Sequence, residues 1–217
     1  MTVYFAIVGH TSRAKQCAQL QAQLDGAALF LDDGSLGEWA NHRRAFQFGL
    51  TVGHDAPWDR DWLVVLQDDA QPIKGFQAAA QAALEHVPAE AFMVSFYCGT
   101  SRPLRYQQPF AEAVFNAELD GSGFLSAPVL GWGVAVAIRL DALQIILDYC
   151  DNHSQPYDER LSAAMFGLGP VFYTWPSLVD HEDGTSLVKH RYDVDTKPRK
   201  ARKVGLPRSW NVTEVTV

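Results

Sequence analysis

Trp62-Leu63-Val64-Val65-Leu66 is an unbroken apolar run that stops abruptly at Gln67-Asp68-Asp69. Five apolar residues without polar alternation suit a central strand covered on both faces. Such a strand needs helices above and below it, which points to an α/β layered fold. The rest of the sequence supplies the parts. Apolar segments at residues 3–8, 28–31, 91–97, 134–138 and 171–176 read as further strands. Helical composition marks residues 13–24, 38–50, 73–86, 140–149 and 157–166. In the first of these helices Ala14, Cys17, Leu20 and Leu24 share one face. Pro72 stands near the start of the third. Residues 99–124 mix Pro, Gly and aromatic residues and read as irregular. Strand and helix alternate through about the first 100 residues, which predicts βαβ units and a mixed, mainly parallel sheet flanked by helices. Ligands of such sheets bind beyond the carboxyl ends of the strands. That rule sets Gly9-His10-Thr11, Asp32-Asp33 and Asp68-Asp69 along one rim.

Composition narrows the class. A chain of 217 residues with 47% apolar residues and six Trp can bury a sizeable core. No apolar run approaches the ~20 residues that span a bilayer. The first residues, Met1-Thr2-Val3-Tyr4-Phe5-Ala6-Ile7-Val8, lack the basic region and cleavage site of a signal peptide and read as a core strand. Cys17, Cys98 and Cys150 are widely spaced, which disfavours a zinc ribbon or disulfide scaffold. The expected setting is reducing and cytoplasmic. Charge is unevenly spread. Residues 189–208 hold eight Lys/Arg and two Asp, leaving ten basic and 23 acidic residues elsewhere. We therefore expect one domain over residues 1–188 and a basic C-terminal segment, 189–217, packing on it or extending from it. An acidic body with a basic segment hints at a polyanionic partner.

The acidic pair after the buried strand carries the chemistry. A strand end is a rigid place to hold a carboxylate, and a hard divalent cation bound there can neutralise a diphosphate. The same residues also suit a solvated turn that caps the following helix. Three other constellations stand out. Trp39-Ala40-Asn41-His42-Arg43-Arg44 puts cations on a helix, suited to diphosphate contact or to a solvated face. Asp158 and Glu159 open a helix, as first-turn acids or as a general base. Leu130-Gly131-Trp132-Gly133 offers close backbone approach and an aromatic face for an acceptor, or a packed turn.

Leu63-Val64-Val65-Leu66-Gln67-Asp68-Asp69 resembles the apolar strand and DxD-type motif of GT-A-fold glycosyltransferases, the lipopolysaccharide-type and small bacteriophage enzymes above all. Gln67 departs from the Glu common at that position. Trp175-Pro176-Ser177-Leu178-Val179-Asp180-His181 resembles a segment near the end of the phage-type enzymes, and the helix bearing His42, Arg43 and Arg44 resembles the one after their second strand. The resemblance implies a GT-A-like, Rossmann-related single domain. It implies Asp69 and His181 as ligands of Mn²⁺ or Mg²⁺, with Asp68 beside them. It implies a nucleotide-sugar donor, UDP-linked by expectation, held by Gly9, His10, Thr11, Asp33, His42, Arg43, Arg44, Asp68 and Ser186. Asp158, with Glu159 second, is the expected base of an inverting transfer. Trp132 and Gly133 are expected at the acceptor.

For the acceptor, the basic segment Lys197-Pro198-Arg199-Lys200-Ala201-Arg202-Lys203 suggests DNA, with a flipped 5-hydroxymethylpyrimidine as the hydroxyl. Tyr97, Tyr106 and Phe110 would then stack on the base. Alternatives are a virion protein or cell-surface glycan as acceptor, a nucleotidyltransferase, and a non-catalytic DNA- or sugar-binding module. The nucleotidyltransferase would want a better phosphate loop than Gly9-His10-Thr11-Ser12-Arg13.

Overall fold

The apolar run Trp62 to Leu66 becomes the third strand in chain order, within a seven-stranded sheet. A computed structural model describes residues 1–53, 60–101, 103–182, 198–211 and 216–217. In chain order the elements are β1 (Val3–His10), α1 (Ala14–Gln21), β2 (Ala28–Asp32), α2 (Glu38–Val52), β3 (Trp62–Gln67) and β4 (Ala70–Pro72). Then come α3 (Phe76–His86), β5 (Met93–Ser95), α4 (Gln107–Asp120), β6 (Phe124–Ala127) and β7 (Ala135–Arg139). The remainder are α5 (Leu140–Asp151), α6 (Tyr157–Ala164), β8 (Val171–Thr174) and β9 (Val179–His181).

The main sheet runs in the order β2-β1-β3-β7-β5-β8-β6. Strands β7 and β6 oppose the other five, so the sheet is mixed and mostly parallel. Trp62 to Leu66 are all buried between β1 and β7, as the lack of alternation requires. Successive side chains on a strand point to opposite faces, and the two faces take different helices. On one, Phe5 meets Phe76 of α3 edge to face, and Gly9 lies against Cys17 of α1. On the other, Leu63 reaches Gly49 of α2, which also touches Leu143 of α5. The result is a three-layer α/β domain with a mixed, mostly parallel sheet.

Three elements depart from the sequence reading. Residues 107–120 form helix α4, not an irregular stretch. Pro109 reads as a breaker, but it occupies the first turn, where its missing N–H costs no bond. Helix α3 begins at Phe76 behind Gly75, and residues 70–72 form β4. Asp68 and Asp69 therefore cap no helix. Strand β7, expected simply as part of a mainly parallel sheet, inserts antiparallel between β3 and β5.

A second, two-stranded sheet pairs β4 with β9, Ala70 opposite His181. Residues 198–205 then fold back over this end of the molecule. Gly99 bridges to Ala201 and Ser177 to Val204, while Lys200 O accepts from Thr100 N and Lys203 O from Ser177 N. The last residues lie along the edge strand β6 through Val217 N donating to Ser126 O. No described helix is long and apolar enough to cross a membrane.

Candidate active site at the strand ends

The small sheet is what builds the site. Pairing Ala70 with His181 delivers the imidazole to the residue just before β4, and His181 Nε2 lies 3.2 Å from Asp69 Oδ2. Glu182 N donates to Asp69 O at 2.8 Å and locks that register. Asp68 turns the other way. Its Oδ2 accepts from His10 N at 2.9 Å and its Oδ1 from Arg13 Nη1 at 2.8 Å. The same Arg13 nitrogen reaches Asp69 Oδ2 at 3.2 Å. One guanidinium thus bridges both carboxylates from the turn after β1. Gly9 permits this approach, because a Cβ there would stand 2.4 Å from Cys17 Sγ and 2.9 Å from Asp68 Cβ.

Burial pushes the Asp69 carboxyl upward, but the hydrogen bond from His181 and the charges of His181, Arg13 and Arg199 outweigh it, and its pKa falls below the ordinary value. Asp69 is therefore ionised. Its Oδ1 and His181 Nδ1 are both buried and meet no hydrogen-bond partner among the described residues. A buried polar atom without a partner costs about 1–3 kcal/mol.

A divalent cation fits. Neighbouring ligands of an octahedral ion at roughly 2.1 Å stand about 3 Å apart, close to the 3.2 Å between Asp69 Oδ2 and His181 Nε2. A carboxylate with an imidazole suits Mn²⁺ better than Mg²⁺. No cluster of three His, Cys, Asp or Glu gathers among the described residues.

Cations surround the pair. Lys200 Nζ donates to His181 O at 2.6 Å and pairs with Asp180 Oδ2 at 3.3 Å. Asp180 Oδ1 accepts from Ala201 N at 2.8 Å, which pins the returning segment across the site. Arg199 and Lys200 belong to the basic segment marked out in the sequence, whereas Arg13 was not singled out as a site residue. Arg13 sits four residues past the Gly9 that ends the apolar strand, a spacing with no motif to flag it.

The residues expected at the nucleotide do not gather in one place. Gly9 and His10 end β1, where His10 pairs with Asp32 and its N–H reaches Asp68, and Thr11 opens the turn that follows. Asp32 is buried and accepts from Leu36 N and Gly37 N, a structural role. Asp33 is exposed, and hydrogen bonds from Ser35 hold its carboxyl low. Arg44 donates to Leu31 O. Arg43 turns away to Asp151 at the end of α5, 2.8 Å from Oδ2. Ser186 lies outside the described residues, as do residues 189–197 of the basic segment.

His42 faces neither the acidic pair nor solvent. Its ring stacks on Tyr157 at 3.6 Å, its Nδ1 donates to Glu38 O at 2.8 Å, and burial lowers its pKa to about 4. A group whose pKa is depressed on folding contributes stability that is present above its unfolded value and lost as pH falls. The window here runs from 6.5 down to about 4. Replacing His42 with Gln should flatten acid destabilisation in that window by up to about 3 kcal/mol, read from denaturant melts at pH 4.5 and pH 7.5.

Tyr157 connects this region to the strand ends. Its Oη donates to Gly133 O at 3.1 Å, and Gln67 N donates to Val134 O at 2.9 Å. Asp158 follows at the start of α6, half-buried, and its Oδ1 accepts from Glu159 N. Burial raises its pKa, and the Glu159 amide bond offsets only part of the rise. Glu159 is exposed. Gly133 is required by packing, since a Cβ would come 2.3 Å from Tyr157 Cε1. Trp132 is only 7% exposed and meets Tyr97, Phe110 and Tyr173 edge to face. Its ring is part of the core, as are Tyr97 and Phe110, so these three rings are not open stacking platforms. Tyr106 is partly buried against the same core.

Comparison with known proteins adds little. No protein-family model matches the chain, and no curated protein matches it. A solved glycosyltransferase involved in the glycosylation of the major capsid of PBCV-1 aligns over 72% of this chain and 72% of its own, at 11% identity and a TM-score of 0.28. At that score the likeness carries no argument, and the functional reading rests on the site itself.

Proposed function

We propose that the chain is a metal-dependent, inverting glycosyltransferase that moves a sugar from a nucleoside-diphosphate donor to a hydroxyl acceptor. The observation that carries the reading is the buried pair of orphan atoms, Asp69 Oδ1 and His181 Nδ1, with Arg13 and Lys200 close by. Carboxylate and imidazole are cation ligands, and the positive charges of Arg13 and Arg199 acting on Asp69 suit a diphosphate. Asp69 and His181 would hold the metal, which stabilises charge on the departing diphosphate. Arg13 and Arg199 bring further positive charge to the same oxygens. Gly9, His10 and Thr11 and the exposed carboxylate of Asp33 would hold base and ribose, with UDP the expected nucleotide. Asp158 takes the proton of the acceptor hydroxyl, and its raised pKa makes it a better proton acceptor than an ordinary carboxylate.

The DNA reading of the acceptor loses part of its support. Three of the cations that suggested it are engaged by the body of the protein. Lys200 meets Asp180, Lys203 meets Glu118 at 2.6 Å, and Arg202 donates to Gln107 O. We therefore assign the acceptor as a hydroxyl and keep a hydroxymethylated pyrimidine as one substrate to assay beside glycans and serine-rich proteins.

The test is incubation with a panel of nucleotide sugars and nucleoside triphosphates, with and without Mn²⁺, followed by NMR of the products. Mn²⁺-dependent release of nucleoside diphosphate from one nucleotide sugar is expected. Turnover of triphosphates with pyrophosphate release instead would reassign the chain as a nucleotidyltransferase.

A further inference from the structure

Arg13 is bonded to the same carboxylate oxygen of Asp69 that meets His181. Its Nη1 lies 2.8 Å from Asp68 Oδ1 and 3.2 Å from Asp69 Oδ2, and Asp69 Oδ2 is the same oxygen that meets His181 Nε2. The side chain is only 16% exposed, so the ion pair is poorly screened. A dication entering beside Asp69 meets a fixed positive charge already bonded to that carboxylate.

We infer that Arg13 is a built-in counter-cation that makes metal binding conditional on the donor. The inference rests on the metal-dependent reading above. Without nucleotide, Arg13 neutralises the two aspartates and competes with the metal for Asp69. When a diphosphate arrives, the guanidinium gains phosphate oxygens as partners and its planar fork suits them. It then releases Asp69 to the metal while staying bonded to Asp68. Metal and diphosphate must therefore tighten each other by the same factor, since coupling between two ligands is reciprocal. Arg13 is a positioning residue in this scheme, acting on the metal through Asp69.

The sign of the expected effect separates this role from a structural one. Damage to the site weakens every ligand, whereas loss of a competitor strengthens the metal. Mn²⁺ affinity is measured by EPR of the free ion and UDP affinity by calorimetry, each with and without the other. Wild type should bind Mn²⁺ alone weakly and about tenfold or more tightly with UDP. Arg13→Gln should bind Mn²⁺ alone about tenfold more tightly than wild type, bind UDP less tightly at saturating Mn²⁺, and lose most of the coupling. Arg13→Met keeps the buried stem and should behave the same way, which preserves the test if the Gln variant does not fold.

Unchanged or weaker Mn²⁺ binding in a folded Arg13 variant overturns the inference. If Asp69→Asn abolishes Mn²⁺ binding in that case, the metal-dependent reading survives and only the role of Arg13 falls. If neither wild type nor any variant binds Mn²⁺, both fall together.

Discussion

Replacing Asp69 with Asn should lower glycosyl transfer by about a thousandfold or more, with the fold intact. Asn keeps the shape of the side chain, and Arg13 keeps its bond to Asp68. What disappears is the negative charge between Arg13 and His181. The surroundings of Asp69 hold that charge in place by lowering its pKa. The variant should unfold cooperatively near the wild-type temperature and show no Mn²⁺ stimulation. Wild-type turnover by a folded Asp69→Asn would remove the metal from the mechanism.

The second large effect concerns the proton. Asp158→Asn should reduce kcat by about 10²–10⁴, the range for loss of a positioned base, while UDP binding stays as in wild type. The wild-type rate should rise with pH along an acidic limb set above the ordinary carboxylate value, because burial raises the Asp158 pKa. That limb should vanish in the variant. Stability moves in the opposite sense. A carboxyl whose pKa is raised on folding contributes stability at pH below its unfolded value and loses it as pH rises through the folded one. The variant should therefore gain relative to wild type as pH increases. A matching loss of stability and of kcat would instead mark Asp158 as a helix-start acid and nothing more. Stereochemistry offers a parallel check, since a retained anomeric configuration would leave Asp158 without this task.

What the sequence revealed, and what it hid, follows physical lines. Trp62-Leu63-Val64-Val65-Leu66 was legible because a strand buried on both faces has no polar residue to interrupt it. Pro176-Ser177-Leu178-Val179-Asp180-His181 was legible as a pattern, and the structure gives several of its residues a task. Ser177 Oγ accepts from Cys98 N, Leu178 and Val179 are buried, Asp180 pins the returning segment, and His181 meets Asp69. Arg13 was not legible, because its partners lie 55 and 56 residues further along the chain. For segment 198–205 the sequence left packing on the domain and extending from it both open, since charge density says nothing about which acids wait opposite. Trp132 was ambiguous for a related reason. A Trp between two glycines serves a packed turn as well as an open platform, and only Tyr97, Phe110 and Tyr173 around it decide for the turn. Arg43 and Arg44 are adjacent in sequence but point from one helix to Asp151 and to Leu31 O respectively.

The central claim is a cation and diphosphate site at the end of β3, and calorimetry with UDP tests it most directly. Wild-type protein is titrated with and without Mn²⁺, alongside His181→Ala. Mn²⁺ should strengthen UDP binding in wild type by about tenfold or more, and His181→Ala should lose that enhancement while remaining folded. Mn²⁺-independent binding, or an enhancement that survives in His181→Ala, would contradict the account.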